Sequence, residues 1–98
     1  MADPVTVIAR LRAKPGQEAR VRELLLSLIK PTRAEAGCID YDLHESDEHP
    51  GEFLFYESWN SGEAFEAHLK MPYITEAFKL APEILDGSPQ LTRWKRLD

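Results

Sequence analysis

The sequence predicts one α+β domain whose elements follow the order β-α-β-β-α-β, and three observations lead to this prediction. Four segments alternate apolar and polar residues, or are continuously apolar, as strands do. Two segments between them carry the apolar spacing of an amphipathic helix. The 98 residues are enough for one domain with a modest core and too few for two. This order is the split arrangement of ferredoxin-like folds, in which two helices cover one face of a four-stranded antiparallel sheet.

The first third of the chain predicts a strand followed by a long helix. Residues 5–13 alternate in polarity, which is typical of a half-buried strand. From Gln17 the apolar residues take the spacing of one helical face: Val21, Leu24, Leu25, Leu28 and Ile29. Pro31 has no backbone N–H, so we expect the helix to end or kink there. A short continuation over 32–36 should stop at Gly37.

Two strands joined by a hairpin loop are predicted next. Residues 38–45 and 52–59 have strand patterns, and 46–51 between them have turn chemistry. The first of these strands carries its apolar side chains on one side: Ile39, Tyr41 and Leu43. The second is apolar or aromatic on both sides, which indicates a central strand covered on both faces. We expect a second copy of the chain to cover Leu54 and Tyr56, in a homodimer with face-to-face sheets.

The last third predicts a helix in two parts and a final strand. Asn60 is a plausible N-cap with Glu63 three residues later, and the helix should run to about Lys70 before a Met-Pro pair interrupts it. The second part has one apolar face and should break at Pro82. That face comprises Ile74, Ala77, Phe78 and Ala81. After a loop, 90–97 alternate as the closing strand.

Composition excludes several classes of partner and site. The formal net charge is -5, and the basic residues are scattered along the chain, so we expect neither nucleic acid nor a membrane as a partner. Cys38 is the only cysteine, which rules out an internal disulfide and fits the reducing cytoplasm. No glycine-rich nucleotide loop or cysteine cluster is present, so nucleotide, flavin and zinc sites have no support in the sequence.

One stretch combines aromatic residues with an ionisable group. Residues 57–69 lead from the aromatic strand into a helix, where Phe65, His68 and Leu69 have the spacing of one face. An imidazole in an apolar stripe is typical of a pocket that handles a proton, although such a histidine is more often structural. In the structural alternative Glu57 pairs with a strand cation such as Arg10 or Arg93, and Trp59 and Trp94 belong to the core.

Four blocks of sequence resemble the antibiotic biosynthesis monooxygenase (ABM) domain family. They are Lys-Pro-Gly at 14–16, PTRAEAGCIDY at 31–41, FYESW at 55–59 and AFEAHL at 64–69. The resemblance covers nearly the whole chain. It implies a dimeric α/β barrel of ferredoxin-like subunits, each with a pocket between its sheet and helices. Family members include cofactor-independent monooxygenases of quinols and polycyclic phenols, haem-degrading enzymes and a signal-molecule isomerase.

The resemblance also discriminates among these branches. The haem-degrading branch has an Asn, a Trp and a His at positions that correspond here to Ala9, His68 and Phe78. None of the three is retained, so the iron would lack its protein ligand and haem degradation is not expected. The quinol-monooxygenase branch is similar to this chain in having a histidine at the position of His68.

The implied chemistry needs no metal, flavin or nicotinamide cofactor, because an electron-rich quinol can itself reduce dioxygen once it is deprotonated. The site then needs a base, an apolar cavity and donors for the resulting oxyanion. His68 is the candidate base, since its ordinary pKa lies near neutrality. Glu57 is a candidate to orient His68 or to act as an alternative base. The candidate walls for a small aromatic substrate are Trp59, Phe65, Phe78 and Tyr41.

Two other functions remain open on the sequence. One is a dimeric ligand-binding or stress-associated module that uses the same pocket without turnover. The other is an isomerase that transfers a proton through His68. His44 and His49 flank a hairpin loop without metal-ligand spacing, so we expect solvated side chains there. Cys38 has no neighbouring base in the sequence and is predicted to be an inert thiol.

Overall fold

A computed structural model describes residues 3–98 and places eight elements along the chain. The four strands and four helices are β1 (Val5–Arg12), α1 (Glu18–Ser27), α2 (Ile29–Arg33), β2 (Cys38–Glu45), β3 (Glu52–Trp59), α3 (Gly62–Leu69), α4 (Pro72–Ile84) and β4 (Gln90–Trp94). Each of the two predicted helical regions is thus a pair of helices. Within the described range no helix has the length and apolar character needed to cross a bilayer.

The strands form one antiparallel sheet in the order β2-β3-β1-β4. β1 and β3 occupy the centre, and Ala9 faces Phe55 across that pair. The hairpin between β2 and β3 and the crossing connections that contain the helices give the ferredoxin-like topology that the sequence predicts. The central place of β3 is therefore confirmed.

Pro31 divides the first helical region without ending it. A proline at this position cannot donate to the carbonyl of Ser27, and its ring crowds that carbonyl. α1 accordingly ends at Ser27, and α2 follows after Leu28 and includes Pro31 before it ends at Arg33. The helix is therefore interrupted close to Pro31, as predicted, but the regular helix stops before the predicted end at residue 36. The chain from 34 to 37 is instead a series of turns.

The predicted ends of the second helical region need two corrections. The N-cap of α3 is Ser61 and not Asn60, because the Ser61 hydroxyl accepts the Ala64 N–H at 3.1 Å. α4 does not break at Pro82 but continues to Ile84. A proline so near the end of a helix removes only one ladder bond, and the side-chain ammonium of Lys14 donates to the Pro82 carbonyl at 2.7 Å.

The core lies between the helices and one face of the sheet. From β3 it receives alternate side chains, from Phe53 to Trp59, none of which is more than 4% exposed. α1, α3 and α4 contribute apolar residues from their inner faces. The core members from these helices are Val21, Leu25, Phe65, Ile74 and Ile84. The alternation on β3 places Glu57 in the same buried row.

The opposite face of the sheet is open in the single chain. Tyr56 is 39% exposed and Trp94 is 58% exposed, and both lie on the face of the sheet that carries Thr6 and Ile8. The prediction that Trp94 is a core residue is wrong, because it pairs with Thr6 on this outer face. β4 also ends at Trp94, three residues short of its predicted end. The outer face of β3, which was predicted to be buried, is not covered by any other part of the described chain.

A β-bulge at the start of β2 changes the face of one predicted core residue. Cys38 is opposite Trp59 and Asp40 is opposite the next residue, Ser58, so Ile39 is the extra residue of the bulge. Ile39 is 56% exposed, and its predicted place beside Tyr41 and Leu43 is wrong. From Tyr41 onward the strand follows the predicted alternation.

Candidate functional site

A cavity of about 70 Å³ lies between the inner face of the sheet and the helices. Its wall is almost entirely apolar, with contributions from β1, α1, α3 and α4. Its polar groups come from three side chains, Tyr41, Glu57 and His68. The structure thus brings together five of the six predicted site residues around one cavity. These are His68, Glu57, Tyr41, Phe65 and Phe78.

His68 projects from α3 into this cavity and is 3% exposed. Its ring lies 4.6 Å from the Trp59 ring and 5.5 Å from the Tyr41 ring, measured between centroids. The Nδ1 atom is 2.9 Å from Oε2 of Glu35, whose side chain is 7% exposed. Burial lowers the pKa of His68, and the carboxylate of Glu35 opposes this effect. The lowered pKa favours the neutral imidazole, the form that can accept a proton.

Glu35 is the main residue of the site that sequence reasoning missed. It lies in the turns after α2, 33 positions before His68, and no periodicity connects the two. Its carboxylate also accepts a hydrogen bond from the hydroxyl of Tyr73, at the start of α4. The available signal was that Glu35 is an acidic residue within the family block 31–41. Only the folded structure shows that its carboxylate is hydrogen-bonded to His68.

Gly37 allows the turn that carries Glu35 to lie against α3. A Cβ atom at Gly37 would collide with the Cβ of Ala64 and stand 2.9 Å from Oδ1 of Asn60. The backbone fixes the approach, since Asn60 N–H donates to the Gly37 carbonyl at 2.9 Å. This close contact holds the turn beside the helix that bears His68.

Glu57 occupies the cavity wall as a buried carboxyl group, 2% exposed. Its Oε1 atom accepts the indole N–H of Trp59 at 2.9 Å. Burial raises the pKa of Glu57 to about 7, although the Trp59 hydrogen bond opposes the increase. Glu57 does not orient His68, because Glu35 is the carboxylate bonded to that ring.

Glu57 also has no strand cation as a partner. Arg93 is bonded to Glu66 at 3.1 Å, and its guanidinium lies 5.4 Å from the centre of the Phe65 ring. Arg10 is exposed, with the opposite orientation to its buried neighbour Ala9. The structural alternative in which Glu57 forms an ion pair with Arg10 or Arg93 is therefore wrong.

The aromatic candidates differ in where they lie relative to the cavity. Tyr41 stacks on Phe55 with a centroid separation of 4.3 Å, and burial raises the pKa of Tyr41 so that its hydroxyl keeps its proton. Phe78 is 42% exposed and borders the cavity where it approaches solvent. Trp59 is fully buried and does not line the cavity. Trp59 is thus a core residue that supports Glu57 and His68, which confirms the alternative in which it belongs to the core; its candidate place as a wall is wrong.

The side chains of the remaining polar candidates make no hydrogen bond to Glu35, Glu57 or His68. Burial raises the pKa of the half-buried Cys38 thiol to about 11, as expected for an inert thiol. His44 and His49 are exposed, as predicted. Among residues 3–98 no group of three or more His, Cys, Asp or Glu side chains is arranged to hold a metal ion.

With the geometry described, comparison with known proteins gives the family. The model of the family "Antibiotic biosynthesis monooxygenase" matches residues 4–80 of this chain. The chain belongs to the ABM family. A protein of Mycobacterium tuberculosis named "Putative monooxygenase Rv0793" is 42% identical over 98 residues, with 100% of this chain and 96% of that protein covered.

Two solved structures have the same fold, and a further relative is similar in sequence. The crystal structure of PA3566 from Pseudomonas aeruginosa is 31% identical and superposes with a TM-score of 0.93, covering 100% of this chain and 98% of that one. The structure of Rv0793 gives a TM-score of 0.92 and 36% identity over 98% of this chain and 97% of its own. "Uncharacterized protein sll1783" of Synechocystis is 30% identical over 93 residues, which are 95% of this chain and 63% of that protein. This chain thus spans less than two thirds of that relative's length.

Proposed function

We propose that this ABM-family protein is a cofactor-independent monooxygenase that oxidises a small quinol or phenol with dioxygen, as in the quinol-monooxygenase branch. The observation that carries the proposal is the placement of an imidazole, His68, in an apolar cavity and within 2.9 Å of a buried carboxyl group, Glu35. That arrangement provides a base where water is largely excluded. The monooxygenase name of a relative 42% identical in sequence is consistent with this chemistry.

The proposed reaction begins when His68 accepts the proton of a quinol hydroxyl. The resulting anion gives one electron to dioxygen, and the ring radical and superoxide then combine to form a C–O bond. Cleavage of the O–O bond leaves one oxygen atom on the ring, and the other leaves as water after taking up two protons. A naphthohydroquinone and dioxygen thus become a hydroxynaphthoquinone and water, and the quinol supplies all the electrons.

Glu57 has a separate role in this proposal. With a pKa of about 7 it is protonated in a large fraction of molecules at neutral pH, and its carboxyl faces the same cavity as His68. A protonated carboxyl donates a hydrogen bond to an oxygen atom on which negative charge develops. Glu57 therefore serves as a donor to the second oxygen of the substrate, while His68 serves as the base.

The size of the cavity bears on how a substrate enters. Its volume of about 70 Å³ is smaller than the ~150 Å³ of an engineered apolar cavity that binds benzene. An aromatic ring therefore needs one wall to move. Phe78 is the exposed aromatic side chain on the border of the cavity, so we expect substrate to displace its ring.

Oxygen uptake tests the proposed activity. Metal-free protein is mixed with a naphthohydroquinone in an oxygen electrode, and the rate of autoxidation without protein is subtracted. We expect a rate proportional to protein concentration, with no return of oxygen when catalase is added, because the second oxygen atom becomes water and not hydrogen peroxide. A ligand-induced rise in melting temperature without any protein-dependent uptake would instead identify a binding module.

We also propose that the active form is a homodimer in which the open sheet faces of two copies meet. The support is the exposure of two large aromatic side chains, Tyr56 and Trp94, on a face that the chain's own helices do not cover. Light scattering at micromolar concentration should give twice the chain mass of 11.2 kDa. A Trp94→Glu variant should shift the mass toward that of one chain, whereas a monomeric wild type would contradict the proposal.

A further inference from the structure

The contacts of Glu35 indicate that its carboxylate determines which nitrogen of His68 carries the proton, in addition to its electrostatic effect on the ring. The Oε2 atom of Glu35 meets Nδ1 of His68 and the hydroxyl of Tyr73, so two groups converge on one carboxylate oxygen. The hydroxyl of Tyr73 also lies 3.3 Å from the Pro31 carbonyl. An ionised carboxylate has only acceptor sites, so a hydrogen bond to it requires a proton on the partner atom.

We infer that Glu35 and Tyr73 are positioning residues that hold His68 with Nδ1 as the donor and Nε2 as the proton acceptor at the cavity. This inference rests on the proposed function, because it assigns the atom of His68 that takes the substrate's proton. Neither Glu35 nor Tyr73 lines the cavity, so both act through His68 and not on the substrate.

Tyr73 shares the acceptor oxygen of Glu35 with His68. The Tyr73 hydroxyl keeps its proton at neutral pH, since burial and the neighbouring carboxylate raise its pKa to about 12. A phenol that donates to Glu35 Oε2 fixes the direction of the carboxylate and competes with His68 for that oxygen. A carboxylate acceptor at Nδ1 favours the Nδ1–H tautomer and stabilises the imidazolium that forms when Nε2 accepts a proton.

The local backbone holds Glu35 in this position. Its N–H donates to the Thr32 carbonyl at 3.0 Å, and its carbonyl accepts the Cys38 N–H at 3.1 Å. Gly37 then carries the turn against α3, as described above. The backbone of Glu35 is thus held by hydrogen bonds to residues before and after it in the chain, and from this position its carboxylate contacts His68.

Other ionisable groups near His68 have different contacts. Tyr41 on β2 stands edge-on to the His68 ring, at 5.5 Å between centroids. Glu57 on β3 bonds to Trp59. Glu35 is the ionisable group with a direct hydrogen bond to the ring, and Tyr73 on α4 acts on His68 through Glu35.

The test is to replace Glu35 by Gln and to follow the ¹⁵N NMR signals of the His68 ring across pH. In the wild type we expect Nδ1 to carry the proton of the neutral ring. Glu35→Gln keeps the size of the side chain but removes its charge, so the pKa of His68 should fall further and quinol-dependent oxygen uptake should fall about 100-fold. Glu23→Gln on the exposed side of α1 is the matched control and should change neither.

A second variant separates the parts played by the two residues. Tyr73→Phe keeps the carboxylate but removes a donor that competes for it, so the Nδ1–H tautomer should persist and the pKa of His68 should rise. An Nε2–H tautomer in the wild type, or an unchanged pKa of His68 in folded Glu35→Gln, would overturn the inference for Glu35. A lowered pKa in Tyr73→Phe would overturn it for Tyr73.

The NMR measurements need no substrate, which separates this inference from the proposed activity. If the tautomer and pKa changes occur but no quinol is oxidised, the proposed function fails and the contact between Glu35 and His68 remains. If the wild type oxidises quinols and Glu35→Gln does so at the same rate, the positioning role fails and the proposed function remains.

Discussion

Replacement of His68 by Gln is expected to reduce quinol-dependent oxygen uptake by about 10²- to 10⁴-fold, the usual contribution of a positioned general base. Glutamine fills much of the same space and can still donate to Glu35, but it does not accept a proton near neutral pH. The measured quantity is the protein-dependent rate after subtraction of autoxidation. His68→Ala should show at least as large a loss, with added destabilisation because it leaves Glu35 without its imidazole partner.

Two controls make this result specific to His68. The melting temperature of His68→Gln shows whether the variant remains folded, and His44→Gln replaces an exposed histidine outside the cavity. We expect His44→Gln to retain the wild-type rate. A folded His68→Gln protein that consumes oxygen as fast as the wild type would remove His68 from the mechanism.

Replacement of Glu57 by Gln is expected to stabilise the protein, and by an amount that grows with pH. The pKa of the Glu57 carboxyl rises from 4.5 to about 7 on folding, so between these values the folded state holds a proton that the unfolded state has released. Stability therefore falls as pH rises through this window, and ionised Glu57 costs the wild type about 3 kcal/mol above pH 7. Glutamine avoids that cost and still accepts the Trp59 N–H.

Urea unfolding at a series of pH values measures this effect. The two proteins should have similar free energies of unfolding near pH 4.5, and the difference should approach its full value between pH 8 and 9. Glu23→Gln, which replaces an exposed carboxylate on α1, should show no such trend. A difference between Glu57→Gln and the wild type that does not change with pH would contradict the raised pKa of Glu57.

Because ionised Glu57 destabilises the fold, we expect its carboxyl group to have a functional role. Glu57 is surrounded by apolar wall residues and has the indole of Trp59 as its hydrogen-bond donor. An apolar residue of similar size would pack there without the cost of desolvation. The proposed hydrogen bond to a substrate oxygen provides a reason for its presence, and it assigns Glu57 and His68 different parts of one reaction.

The fold was predictable from sequence because each element has a local signal. Alternation placed the strands, the apolar spacing placed the helices, and Pro31 indicated where the first helical region is interrupted. The errors arose where a tertiary contact overrides the local signal. Pro82 stays inside α4, near its end, and Ile39 leaves the core because a bulge absorbs one residue.

The candidate site was predictable in part, and for the same reason. Its apolar members and His68 share stripes that periodicity reveals, and so they were found. Glu35 was missed because it lies in an irregular turn, and only the contact of Gly37 with α3 brings it to His68. Trp59 was placed on the correct face, but the sequence does not show that it lies beneath the cavity wall, where it supports Glu57.

The central claim is that the protein inserts an atom of dioxygen into an aromatic substrate without a cofactor. The most direct test is turnover of a naphthohydroquinone by metal-free protein under ¹⁸O₂ in ordinary water, followed by mass spectrometry of the rapidly quenched product. We predict a hydroxynaphthoquinone that carries one ¹⁸O atom, at a yield that depends on His68. An unlabelled quinone accompanied by hydrogen peroxide, or no product beyond autoxidation, would contradict it.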